Sequence, residues 1–277
     1  MDTTLTRPST PFESNPPPMS TQHRPERSDS RLTASVRSEW IKLATVRAPR
    51  AILALTILVG GAASFMVARF VDEPDLSVAN VFGFSAVFTA VFAAVSGILA
   101  YTTEAEHHTT HQTFAAQPHR IIVVAAKAIT TVGYTALLCL AGLAAGAVGA
   151  ALGGVEAGDT STVPAMIGWA TGFAVLAGTL GLGVGLIARQ SAAAISGVLV
   201  WWLVVESLLY AFLDQRLSRF LPFVAGNGLL PLDDPAASIE TLNATLSNTE
   251  NALVFGGYAT LALTIGTVLL CRRDNNE

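Results

Sequence analysis

Residues Val163–Ile187 read VPAMIGWATGFAVLAGTLGLGVGLI, twenty-five consecutive positions without a charged side chain. A bilayer core about 30 Å thick takes roughly 20 apolar residues of helix. The stretch is long enough to cross a membrane, and a helix apolar all the way round has no polar face to turn to water. The pattern recurs. Apolar blocks lie at about 50–70, 78–101, 122–153, 163–187, 191–213 and 251–271, with the charges pushed into the gaps between them. The block at 122–153 exceeds one bilayer thickness, so it is tilted or partly outside the core.

The bulk composition agrees. The 277 residues are 51% hydrophobic and 13% charged, with mean hydropathy +0.51, whereas soluble domains carry about 25% charge. The expected fold is all-α integral membrane, with six transmembrane helices preceded by one helix in the membrane interface. Residues 1–31, rich in Pro, Ser, Thr and Arg, read as a disordered tail with no apolar signal-peptide core. Residues 32–48 alternate Leu32, Val36, Leu43 and Val46 with Arg37, Glu39, Lys42 and Arg47, and include Trp40. This is the pattern of an amphipathic helix lying at the bilayer surface. The six spans fill 49–271, and 272–277 form a short tail.

Basic residues set the orientation. With the N-terminus inside, thirteen Arg and Lys fall on the inner side and three, Arg69, Arg216 and Arg219, on the outer side. That is a positive-inside bias placing both termini in the cytoplasm. Nearly all basic residues are Arg and the chain is rich in Ala, as in a GC-rich bacterial genome, so the expected location is a bacterial cytoplasmic membrane. Cys139 and Cys271 both lie in apolar blocks and form neither a disulfide framework nor a metal-finger spacing.

The sequence has no Gly-x-x-x-x-Gly-Lys-Ser/Thr phosphate loop, and its longest internal loop is far smaller than an ATPase domain. All five histidines lie in the N-terminal tail or in the loop at 102–120, which leaves none to activate a serine within the bilayer. No enzymatic activity and no bound cofactor are therefore expected on this chain. Glu206, in Trp201-Trp202-Leu203-Val204-Val205-Glu206, is the one ionisable residue clearly inside a span. It is either a pathway residue or a hydrogen-bonded structural carboxylate. The pairs Gly142/Gly146, Gly149/Gly153, Gly168/Gly172 and Gly181/Gly185 have the spacing that lets helices approach closely.

Two loops are long, an internal one at 102–120 and an external one at 214–250. In the first, Thr103 and Glu106 have capping-box spacing and Pro118 ends the segment, which predicts a short surface helix over 104–116. Glu104, His107 and His111 share one face of that helix. They lack the H-E-x-x-H order, and a partner-docking surface is favoured over a metal site.

Three stretches resemble the ABC-2 type transporter permeases, the membrane subunits of bacterial ATP-driven exporters. Ser38-Glu39-Trp40-Ile41-Lys42-Leu43-Ala44-Thr45-Val46-Arg47 looks like the elbow helix that opens these subunits. The run Gly97, Glu104, Thr109, Thr113-Phe114, Pro118, Arg120 and Lys127 is similar to the family pattern across the coupling segment. Arg219-Phe220-Leu221-Pro222-Phe223-Val224-Ala225-Gly226 looks like its last external segment. The chain departs from the pattern at Ala105, Glu106 and His108. The resemblance implies a permease subunit that pairs with a second permease, identical or paralogous, and with an ABC ATPase carrying ATP and magnesium. It implies that the elbow helix, with Glu39, Trp40, Lys42 and Arg47, and a coupling segment with Glu104, Glu106, His107, Thr109, Thr113, Phe114, Pro118 and Arg120 transmit ATPase motion to the spans. Glu104 is the first expected contact and Arg120 the next, while Lys127 is expected to snorkel to the inner interface. The remaining partner is the lipid bilayer, with no nucleic acid. The competing readings are a secondary transporter, which would need several buried charges, and a non-transporting membrane protein such as an anchor or immunity factor.

Overall fold

The computed structural model describes residues 28–71, 78–107, 119–155, 161–230 and 246–273. Among them 90% are helical and none is in a strand. Helix α1 is Ser28–Thr45, α2 Arg47–Phe70, α3 Val78–Glu106, α4 Arg120–Gly153 and α5 Val163–Ala188. Helix α6 runs over Ser191–Phe212, with a π-helical turn at Trp201–Val205. Two short helices follow, α7 at Gln215–Ser218 and α8 at Pro222–Asn227, and α9 at Asn248–Arg273 closes the order. Six helices among the described residues, α2 to α6 and α9, are long and apolar enough to cross a membrane. The protein is an all-α, multi-pass membrane protein.

The middle of the bundle is α3, α4 and α5, with α2 packed on α4, α9 on α5, and α6 only lightly held. The outer helices show large apolar side chains to the surroundings, among them Leu58, Phe70, Phe212 and Leu253, each at least 66% exposed. Such a surface would be untenable in water and suits lipid. Inside, hydroxyls satisfy themselves on their own helices, as Thr89 Oγ1 does by donating to the Ser85 carbonyl. Ser85 Oγ instead crosses to the Gly142 carbonyl at 2.8 Å and joins α3 to α4.

Glycine decides how closely α3 and α5 approach. A Cβ on Gly97 would overlap the backbone carbonyl of Gly178, which cannot move without displacing α5. Gly97→Ala is expected to cost about 1–3 kcal/mol by overpacking, read as a lower midpoint of thermal unfolding in detergent. An unchanged midpoint would show that the two helices separate freely. Of the four glycine pairs, Gly142/Gly146, Gly149/Gly153 and Gly181/Gly185 sit at such crossings, but Gly168 and Gly172 have no neighbour within 4 Å. Spacing alone does not reveal which face of α5 is covered.

The spans fall where the apolar blocks put them, to within about five residues, but two boundaries differ in kind. Helix α1 starts at Ser28, inside the stretch read as tail, and stops at Thr45 instead of 48. No Gly or Pro interrupts the chain from Glu26 to Ala48, so nothing breaks the helix earlier. The stop is set by Pro49, which lacks the N–H that Thr45 would need four residues on. The Arg50 guanidinium takes its place and donates to the carbonyls of Ala44 and Thr45 at 2.6–3.0 Å. Val46 is extended, and Arg47 therefore opens α2 and does not belong to the interfacial helix.

The second difference is at 104–116. Residues 104–106 do not start a new helix but continue α3 without a break. Thr103 caps nothing, since its hydroxyl donates back to the Leu99 carbonyl. The capping-box spacing was misleading because the apolar face of α3 carries the helix past Thr103. Residues 108–118, with Thr109, His111, Thr113, Phe114 and Pro118, lie outside the described residues, as do residues 1–27, 231–245 and 274–277. As the blocks at 163–187 and 191–213 imply, α5 and α6 are joined by a short link, Arg189 and Gln190, and the reversal forces Arg189 into the left-handed region at φ 59°.

Candidate functional site

Helix α1 lies along α4. Trp40 packs so tightly against Gly133 that a Cβ there would come within 2.8 Å of the indole. The Tyr134 hydroxyl donates to the Pro49 carbonyl and fixes the start of α2 to the same helix. This docking brings two residues of α1, one of α3 and one of α4 to a single point.

Glu39, Lys42, Glu104 and Lys127 form a closed ring of alternating charge. Lys42 Nζ donates to Glu39 Oε1 at 2.6 Å and to Glu104 Oε1 at 2.8 Å. Lys127 Nζ donates to Glu39 Oε2 at 3.0 Å, to Glu104 Oε1 at 2.8 Å and to the Ala100 carbonyl at 3.0 Å. All three ammonium hydrogens of Lys127 are thus used. Its side chain is 2% exposed, against 12% for Glu39, 14% for Glu104 and 39% for Lys42. Burial alone would lower the Lys42 pKa, but its hydrogen bonds to Glu104 and Glu39 outweigh that and hold it above the usual lysine value. A buried ring of this kind adds little net stability, because desolvation offsets attraction. It does fix geometry: removing one member strands the others. Beside it lies a cavity of about 320 Å³ between α1, α2, α3 and α4.

Lys127 does not snorkel. It enters α4 seven residues after Arg120, about 10 Å along the helix, and the α1 and α3 carboxylates meet it there. The sequence carried a signal: a lone lysine inside an apolar block needs a partner, and Glu39 and Glu104 flank the interface at a matching depth. The Glu104 side chain, 14% exposed, turns towards Lys42 and Lys127. Glu106 Oε1 accepts the Ser191 N–H at 2.6 Å and Oε2 accepts its hydroxyl at 3.0 Å, so this carboxylate holds the N-terminus of α6. The exposed His107 Nδ1 donates to the Thr103 carbonyl. Arg120 Nη1 donates to the Leu270 carbonyl at 3.1 Å and ties α4 to the end of α9. No cluster of three metal-ligating side chains occurs among the described residues.

Glu206 lies at the opposite end of the bundle. Its carboxylate accepts the backbone N–H groups of Phe223 and Val224 and the Trp201 indole N–H at 2.8–3.1 Å. It therefore caps the start of α8, and the π-turn brings Trp201 round to it. Trp202 stacks on Phe223 at 4.1 Å, and Phe173 and Phe255 close the aromatic cluster. Phe223, Ala225 and Leu229 are all buried. The segment after α6 thus packs back onto the bundle, tied to α9 by Asn251 Nδ2, which donates to the Gly228 carbonyl at 2.9 Å. Of the two readings of Glu206, these contacts favour the structural one.

No protein-family model matches this chain, and no curated protein matches it in sequence.

Proposed function

We propose that this chain is the permease subunit of an ATP-driven exporter of the ABC-2 type, in a bacterial cytoplasmic membrane with both termini inside. The observation that carries the reading is the ring of Glu39, Lys42, Glu104 and Lys127. It joins the interfacial helix to the foot of α3, three residues before the chain leaves towards 108–118. An external motor can shift a membrane equilibrium only through a part that touches both motor and spans. On this reading the 108–118 segment meets the ATPase, and the ring makes α1, α3 and α4 respond as one body. Glu106 passes the same displacement to α6. ATP and magnesium belong to the partner ATPase, and a second permease subunit completes the pathway.

The test is purification of the tagged chain from its native membranes in mild detergent, with mass spectrometry of what accompanies it. A stoichiometric P-loop ATPase is the expected result. Isolation of the chain alone, under conditions that preserve a known transporter complex, would sink the proposal. Within such a complex, Glu104→Ala is expected to leave the chain in the membrane and to release or uncouple the ATPase. Unchanged ATPase binding and unchanged transport would remove Glu104 from the coupling path.

A further inference from the structure

We propose that the cavity beneath α1 is a phospholipid site, with one acyl chain held between α1, α2, α3 and α4 and the head-group phosphate on Lys42 Nζ. The volume of about 320 Å³ lies at the lower end of small-ligand pockets. Its walls are mainly apolar, with Leu43, Ile52, Leu99 and Tyr134 among them, and charge is confined to the ring. Exposure runs in one direction across it. Val46 at 50% and the Lys42 side chain at 39% mark the open side, and Ile52, Tyr134, Thr131 and Thr130, all at 8% or less, mark the floor.

Lys42 differs from Lys127 in one respect that matters for a ligand. Lys127 has three acceptors, whereas Lys42 has two among the described residues, which leaves one ammonium hydrogen for an incoming oxygen. Both carboxylates on Lys42 are also bonded to Lys127, which offsets their repulsion of a phosphate approaching the exposed lysine.

The level of the cavity selects a lipid over a soluble anion. The Tyr134 bond to Pro49 sets the start of α2 fourteen residues into α4, so about 20 Å of α4 precede it. The cavity, lined by Pro49 and Tyr134, therefore sits where the span α2 begins, at the boundary between hydrocarbon and head groups, and the ring lies on its head-group side, with Lys127 seven residues or about 10 Å earlier on α4. Next to the opening, Ile41 is 54% exposed and Trp40 39%, a surface suited to that boundary.

The site is independent of the exporter reading, and its test has no transport readout. The full chain, purified in detergent, is titrated with dioleoylphosphatidylglycerol and followed by native mass spectrometry, with inorganic phosphate as competitor. One lipid per chain is expected to survive detergent exchange. Leu99→Trp, filling the cavity from the α3 wall, and Val46→Trp, filling the open side, are each expected to weaken it about tenfold or more, or about 1.4 kcal/mol, with the melting midpoint kept. Lys42→Met is expected to weaken it similarly. Should Leu99→Trp fail to fold, Val46→Trp at its half-exposed position carries the test. Lipid retention unchanged by the cavity-filling variants would overturn the proposal, as would absence of a bound lipid. Displacement by phosphate alone would overturn it too, since that would make the site one for a free anion.

Discussion

Lys127→Met is expected to destabilise the protein by about 3–5 kcal/mol, the cost of breaking a buried ion pair by removing one partner. The methionine matches the lysine stem, so packing is kept and the loss is electrostatic. Glu39 and Glu104 would then face each other across a site that admits little water, with Lys42 the remaining lysine between them. The Ala100 carbonyl would also lose its additional donor. The measurement is thermal unfolding in a fixed detergent, together with proteolysis of α1. The midpoint should drop and α1 should become cleavable before the spans do. The double variant Glu104→Gln with Lys127→Met removes one charge of each sign and leaves the pair of Glu39 with Lys42. It should recover more than half of the loss, as expected for groups that act as a unit. Equal losses in the single and double variants would mean that the ring does not behave as one network.

Glu206→Ala should cost about 3 kcal/mol or more at the other end of the molecule. It leaves the buried Phe223 N–H and the part-buried Val224 N–H and Trp201 indole N–H without their acceptor, and a buried unpaired donor costs about 1–3 kcal/mol. Phe223 is 2% exposed, so water does not readily replace the carboxylate there. Glu206→Gln keeps one acceptor oxygen and should lose roughly half as much. The expected signature is local: a cysteine placed in α8 should become reactive to a membrane-impermeant maleimide well below the unfolding temperature. If Glu206→Ala instead left α8 protected and stable but abolished transport, the pathway reading of Glu206 would return.

The two sites differ in how far the sequence exposes them. Glu206 stands out as a carboxylate in an apolar block, but its acceptor role depends on Phe223 and Val224, seventeen and eighteen residues away across a turn. The ring is harder to read, because its members come from three helices and each looks ordinary alone. Glu39 and Lys42 fit a solvated face of an amphipathic helix, and Lys127 fits a snorkelling cation. Only the docking of α1 along α4 makes them meet. The Thr103–Glu106 spacing misleads for the same reason. A three-residue interval fits a local cap, whereas the actual partner of Glu106 is Ser191, brought near by packing.

By itself the sequence determined the six spans, the helix that precedes them and the asymmetric placement of basic residues. These depend on transfer of whole segments between water and hydrocarbon, a local, additive quantity legible in any window of about 20 residues. Only the tertiary structure decided which glycines are crossings, where α1 ends, and which charges neutralise one another. Those depend on pairwise distances of a few ångströms between residues as much as 88 positions apart, and hydropathy carries no information about them.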